Sequence, residues 1–144
     1  MKDYTEQINT EIMRILTENP IIGENGKKVH VAFAYYAGAD GEPSEESNIV
    51  FRRNATKAGS VYGSGQQLNC KYYYYFDVHS KKRFFDIINK LINILENNNF
   101  THCPELDGED SYDPYAKQYC RSLMFSVGYD MAENKIEPRM GKII

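Results

Sequence analysis

The chain has 144 residues, of which 42% are apolar and 26% charged, with a formal net charge of −3. This is one domain of ordinary size, able to bury about 70% of its extended-chain surface, and its composition excludes collagen, coiled coil and wholesale disorder. A slightly acidic chain lacks the basic excess of a duplex-binding domain, and no apolar run approaches the roughly 18 residues that span a bilayer.

Neither a specific nucleic acid nor a membrane is therefore expected as a partner. The polar N-terminus, MKDYTEQINTEIM, has no signal-peptide core, so the chain is expected to stay in the cytoplasm that makes it. Three cysteines (Cys70, Cys103 and Cys120) without a CxxC pair do not form a disulfide framework. Aromatic usage is lopsided: twelve Tyr, seven Phe and no Trp. Tyr suits half-buried strands and interfaces, so part of the surface is expected to be covered.

The first predicted element is a helix capped by Asp3, with Glu6 completing a capping-box-like pair. Ile8, Ile12, Ile15 and Leu16 form its apolar stripe, and Asn19-Pro20 ends it. After a turn at Gly23, Asn25 and Gly26, alternation of Val29, Val31, Phe33 and Tyr35 with His30, Ala32, Ala34 and Tyr36 predicts a strand. Residues 37–48 read as an acidic loop, and Ile49 to Arg53 as a short second strand. The Gly- and Ser-rich stretch 54–67 reads as a flexible loop or an extended hairpin tip.

Leu68 to Val78 is the strongest predicted strand. Leu68, Cys70, Tyr72, Tyr74, Phe76 and Val78 line a core face, and Asn69, Lys71, Tyr73, Tyr75 and Asp77 line a mixed aromatic face. Ser80 stands where an N-cap belongs, before a helix from Lys81 to Asn97. Its stripe is Phe84, Ile88, Leu91 and Leu95, widened by Phe85, Ile87, Ile92 and Ile94. Lys81, Lys82 and Arg83 in its first turn are read as solvated charge. Phe100 to Cys103 is a short strand, 104–117 an acidic loop, and Tyr119 to Met131 the last strand. The order predicts an α+β fold: a single mainly antiparallel β-sheet with two helices packed on one face. Residues 1–131 form the domain, and 132–144 a polar C-terminal tail with little core material.

No stretch singles out a catalytic, metal or cofactor site. The carboxylates of 107–113 do not match an EF-hand spacing and read as solvated loop charge. His102-Cys103 with Cys120 and His79 or His30 lacks the short paired spacing of zinc sites. Ser64 in Gly63-Ser64-Gly65 lacks the nucleophile-elbow spacing, and Gly59, Gly63 and Gly65 lead into a strand, not a phosphate-binding helix. The expectation is a non-enzyme without metal or cofactor. Tyr72 to Phe76 could stack bases, but few cations accompany it, and core plus subunit interface is the preferred use.

Tyr75-Phe76-Asp77-Val78-His79-Ser80-Lys81 leads into an amphipathic helix that ends near Asn99-Phe100. An acidic loop with Asp110, Tyr112 and Asp113 follows, and a final strand carries Tyr119, Arg121 and Phe125. This resembles the tail terminator, or tail completion, proteins of long-tailed phages and prophages, in which a Y-x-[VIF]-D-[VI]-x-S-K type segment precedes the main helix. The N-terminal helix ending in Pro and the overall length fit the resemblance, which covers residues 3–131; the loops at 37–48 and 54–67 depart from it. It implies a minor tail protein of the virion, assembled in the host cytoplasm, that forms a hexameric ring at the head-proximal end of the tail tube. It further implies the tail tube protein and a head–tail connector protein as partners, and no catalytic residues. Tyr62, Tyr73, Tyr75, Arg52 and Arg53 are the expected interface residues. The alternative is a small cytosolic binding module, of immunity or anti-defence type, that grips a protein or nucleotide through its Tyr-rich face. A small enzyme using the 104–113 loop is a third class.

Overall fold

The computed structural model describes residues 3–34, 46–58, 62–63, 66–67 and 69–139, with the side chains of 55–58 and of the two dipeptides excepted. In chain order the elements are helix α1 (Thr5–Glu18), strands β1 (His30–Phe33), β2 (Asn48–Ala58), β3 (Tyr62–Gly63), β4 (Gln66–Gln67) and β5 (Asn69–Ser80), and helix α2 (Phe84–Asn97). Strands β6 (Thr101–His102), β7 (Ser111–Asp113), β8 (Gln118–Asp130) and β9 (Lys135–Ile136) complete it. The main sheet runs β1-β2-β5-β8-β6, with β7 and β9 also paired to β8. Only β1 and β2 are parallel; every other pairing in this sheet is antiparallel. This is the expected α+β arrangement.

Alternation along β5 sets the layers. Cys70, Tyr72, Tyr74, Phe76 and Val78 are all buried, beside Ile49 and Phe51 of β2 and Leu123, Phe125, Val127 and Tyr129 of β8. The buried stripes of both helices, Ile8, Ile12, Ile15 and Leu16 of α1 and Phe84, Ile87, Ile88, Leu91 and Leu95 of α2, join the same cluster. Both helices therefore cover one face. Buried tyrosines keep their hydroxyls paired, as burial requires. The Tyr4 N–H donates to Tyr72 Oη at 2.7 Å, and the Tyr74 hydroxyl donates to Asn9 Oδ1 at 2.7 Å. Tyr4 also stacks on Tyr129, with ring centroids 4.6 Å apart.

Several boundaries move. Strand β5 extends to Ser80, which pairs with Tyr119, so Ser80 is not a helix cap. Its hydroxyl donates to the Lys82 carbonyl at 2.5 Å and lies 2.8 Å from Ser47 Oγ. Helix α2 begins after Arg83, which has φ = +56°, so Lys81, Lys82 and Arg83 lie outside the first turn. Phe85 leaves the stripe for solvent. At α1, Asp3 Oδ1 accepts the Thr5 N–H at 2.9 Å, but no side chain caps from Tyr4, the N-cap residue, and the Glu6 half of the box is absent. Strand β2 runs on to Ala58, with a bulge between Arg53 and Ala55, so 54–58 follows the hairpin alternative. Strand β1 stops at Phe33; Tyr35, Tyr36 and the acidic stretch through residue 45 lie outside the described residues.

The outer edge of β8 is filled piece by piece. β7 pairs at Gln118–Cys120, β6 at Phe125 and Ser126, and β9 at Tyr129 and Asp130. Between them, the Gly108, Cys103 and Glu137 N–H groups donate to the carbonyls of Ser122, Met124 and Gly128 at 2.8–2.9 Å, and Asp107 Oδ1 accepts the Met124 N–H at 2.9 Å. The stretch after Asp130 thus folds back: Ile136 packs on the core, and Arg139 Nη1 meets Glu96 Oε2 at 2.9 Å.

Leu91→Ala is expected to cost about 2–5 kcal/mol in a urea titration, since it empties part of the core, whereas exposed Lys82→Ala stays within about 0.5 kcal/mol. A second expectation concerns alkali. Burial first, with neighbouring Cys70 and Asp3 in support, pushes the Tyr72 phenol up to about 12 from 10.0, partly offset by the Tyr4 N–H. The unfolded chain releases this proton near pH 10, before the folded chain does. Stability from this group is therefore complete below pH 10 and lost as pH rises toward 12. Melting temperature followed from pH 8 upward should fall in that window, and Tyr72→Phe should make the fall shallower.

Candidate interface on the helix-free sheet face

The face of β5 turned away from the helices carries Lys71, Tyr73, Tyr75, Asp77 and His79. Sheet register sets them in rows: Arg52–Tyr75–Met124, Val50–Asp77–Ser122 and Asn48–His79–Cys120. Among the described residues, no helix packs here. The floor is apolar, with Val50 and Met124 buried, while Tyr73 and Tyr75 are half-buried and Arg52 and Lys71 exposed.

Arg52 is held in place. Its guanidinium carbon lies 4.7 Å from the Tyr75 ring centroid, and its Nε is 3.6 Å from Asp77 Oδ2. Asp77 Oδ1 in turn accepts the Ser122 hydroxyl at 2.6 Å. The Lys71 ammonium lies 5.9 Å from the Tyr73 ring centroid. Cations set against tyrosines on an apolar floor make a surface suited to protein contact, because these side chains give large contact area with few torsions to freeze.

Three of the five expected interface residues, Arg52, Tyr73 and Tyr75, are therefore together. Arg53 is not with them: strand alternation turns it to the helix side, where Nη1 lies 4.0 Å from Asp3 Oδ2. The Tyr62 backbone belongs to β3, and its side chain lies outside the described residues. Ser64 also lies outside them. Sequence reading missed a second aromatic surface. Phe85, Tyr112 and Tyr119 are 62%, 52% and 49% exposed, at the α2 end of the sheet. One signal was present: Phe85 overfilled a stripe already wide enough.

The same sheet face brings His79 and Cys120 together, with Nε2 and Sγ 3.8 Å apart. Burial lowers the His79 imidazole and raises the Cys120 thiol to about 11, with Asp77 and Asp113 opposing the first shift and adding to the second. Both groups are thus neutral near pH 7, the reverse of a thiolate–imidazolium pair. His102 instead pairs with Asp107, its Nε2 2.8 Å from Oδ2, and the Cys103 thiol lies 3.6 Å from the Thr101 carbonyl. No group of three or more His, Cys, Asp or Glu poised to hold a metal occurs among the described residues.

No protein-family model matches the chain, and no curated protein matches it.

Raising the Cys120 thiol from 9.0 to about 11 lowers its thiolate population about a hundredfold. Iodoacetamide at neutral pH should therefore modify Cys120 in the folded protein at least that much more slowly than in urea, as read by peptide mass spectrometry. Equal rates would show that burial does not suppress the thiolate, and a faster rate in the folded protein that the thiol is activated.

Proposed function

We propose that this chain is a structural subunit that assembles head-to-tail into a closed ring, in the manner of the tail terminator of a long-tailed phage or prophage. The observation that carries the reading is the helix-free sheet face, where half-buried Tyr73 and Tyr75 and exposed Arg52 stand beside buried Val50 and Met124. Rings need heterologous contacts between two different patches of one subunit, repeated until the rotation closes. Tyr and Arg over an apolar centre are the usual anchors of such contacts. The likeness in sequence supplies the rest of the proposal: six subunits, a tail tube end as the platform, and a head–tail connector as the second partner. In this reading the protein acts in the virion tail and has no catalytic step of its own.

Tyr73→Ala combined with Tyr75→Ala is expected to abolish ring formation and tube capping in electron micrographs, while far-ultraviolet circular dichroism stays unchanged. The reading fails if the double variant assembles like the parent, or if tube ends never acquire the parent protein. A monomer whose melting temperature rises with a nucleotide or a small protein ligand would instead support the binding-module alternative.

A further inference from the structure

An Asn or Asp followed by Gly is prone to cyclise. The glycine has no side chain to hinder its backbone nitrogen as it attacks the preceding side-chain carbonyl. The chain holds one Asn-Gly pair, Asn25-Gly26, and two Asp-Gly pairs, Asp40-Gly41 and Asp107-Gly108. Asp40-Gly41 lies outside the described residues. The structure treats the other two in opposite ways.

Asp107-Gly108 is locked. The Asp107 side chain is only 14% exposed; its Oδ2 lies 2.8 Å from His102 Nε2, and its Oδ1 accepts the Met124 N–H at 2.9 Å. The Gly108 nitrogen, which would be the nucleophile, donates its proton to the Ser122 carbonyl at 2.8 Å. Both reacting groups are thus held against β8.

Asn25-Gly26 is open. Both residues are exposed, and the Asn25 side chain makes no hydrogen bond among the described residues. A Cβ on Gly26 would meet nothing within 4 Å. Asn25 (φ +57°, ψ +28°) and Gly26 (φ +71°) are both left-handed, a conformation that Asn and Gly tolerate best. Two backbone hydrogen bonds close the turn: the Gly23 N–H donates to the Lys27 carbonyl at 2.8 Å, and the Lys27 N–H to the Glu24 carbonyl at 3.1 Å. Cyclisation requires Asn25 ψ to rotate until the Gly26 nitrogen faces Cγ, so the turn must open briefly. None of residues 24–26 is buried, and such exposed turns open at little free-energy cost.

We propose that Asn25 is a site of spontaneous deamidation in the folded protein. The Gly26 nitrogen attacks Asn25 Cγ, forming an N–Cγ bond and giving its proton to solvent. The Cγ–Nδ2 bond breaks and ammonia leaves, which closes a five-membered succinimide. Water then opens the ring at either carbonyl. One opening yields aspartate; the other yields isoaspartate, whose backbone runs through Cβ. The balance is amide plus water to carboxylic acid plus ammonia, with no change of oxidation state. Either product brings a new carboxylate to the cavity lined by Glu24, Lys27, Lys28, Glu46 and Lys81. Isoaspartate also lengthens the turn by one backbone carbon, so the Gly23–Lys27 closure no longer fits.

The test incubates the folded protein, and the protein in urea, at mildly alkaline pH in water enriched in oxygen-18. Digestion at mildly acidic pH, chromatography and peptide mass spectrometry then read the product. The Asn25 peptide is expected to gain about three mass units and split into two peaks, in the folded protein within about tenfold of the rate in urea. Asp107 should gain about two mass units in urea and none while folded over the same time. Asn25→Gln, whose longer side chain cannot close the five-membered ring, should show neither peak. An Asn25 that keeps its amide in the folded protein while converting in urea would overturn the proposal. A single product peak would also overturn it, because direct hydrolysis of the amide yields aspartate alone.

Discussion

The alternation of strand β5 is the constraint on which everything else depends. Its even-numbered residues from Cys70 to Val78 are sealed against two helices and the core faces of β2 and β8. Side chains in a strand alternate strictly, so the odd-numbered residues must occupy the other face. A chain with only two long helices, both already placed on one side, has no third helix among its described residues to cover Tyr73 and Tyr75. The same pattern that builds the core therefore builds the half-buried, helix-free face.

The rest of the scaffold makes that face rigid. Tyr72 and Tyr74 reach from the sheet to α1 with paired hydroxyls, which fix where the helix begins. The outer edge of β8 is occupied by β7, β6 and β9 and by the single N–H donors between them. Strand addition along that edge is blocked, as natural sheets commonly arrange.

Much of this was legible in the sequence. Period-two patterning in β5 named its buried face residue by residue, because hydrophobic burial dominates there. Spacing of Ile8, Ile12, Ile15 and Leu16 located α1, and Asn19-Pro20 its end. What failed were local decisions settled by tertiary pairing. Ser80 looks like a cap, but its backbone pairs with Tyr119, and the strand prevails. Arg52 and Arg53 look equivalent as neighbours, yet alternation sends them to opposite faces. Residues 132–139 look like a polar tail, yet two residues of pairing and Ile136 hold them to the sheet. Phe85 stood out as surplus to its helix stripe, but its meeting with Tyr119 and Tyr112 joins three separated segments and was not legible.

The proposed assembly role stands or falls on whether the helix-free face becomes covered. Hydroxyl-radical footprinting of the protein across a concentration series, read by peptide mass spectrometry, addresses this directly. The account predicts that Tyr73 and Tyr75 lose reactivity as assembly proceeds, while exposed Met13, on the outer side of α1, keeps its own. Assembled material in which Tyr73 and Tyr75 remain as reactive as in the dilute monomer would contradict it.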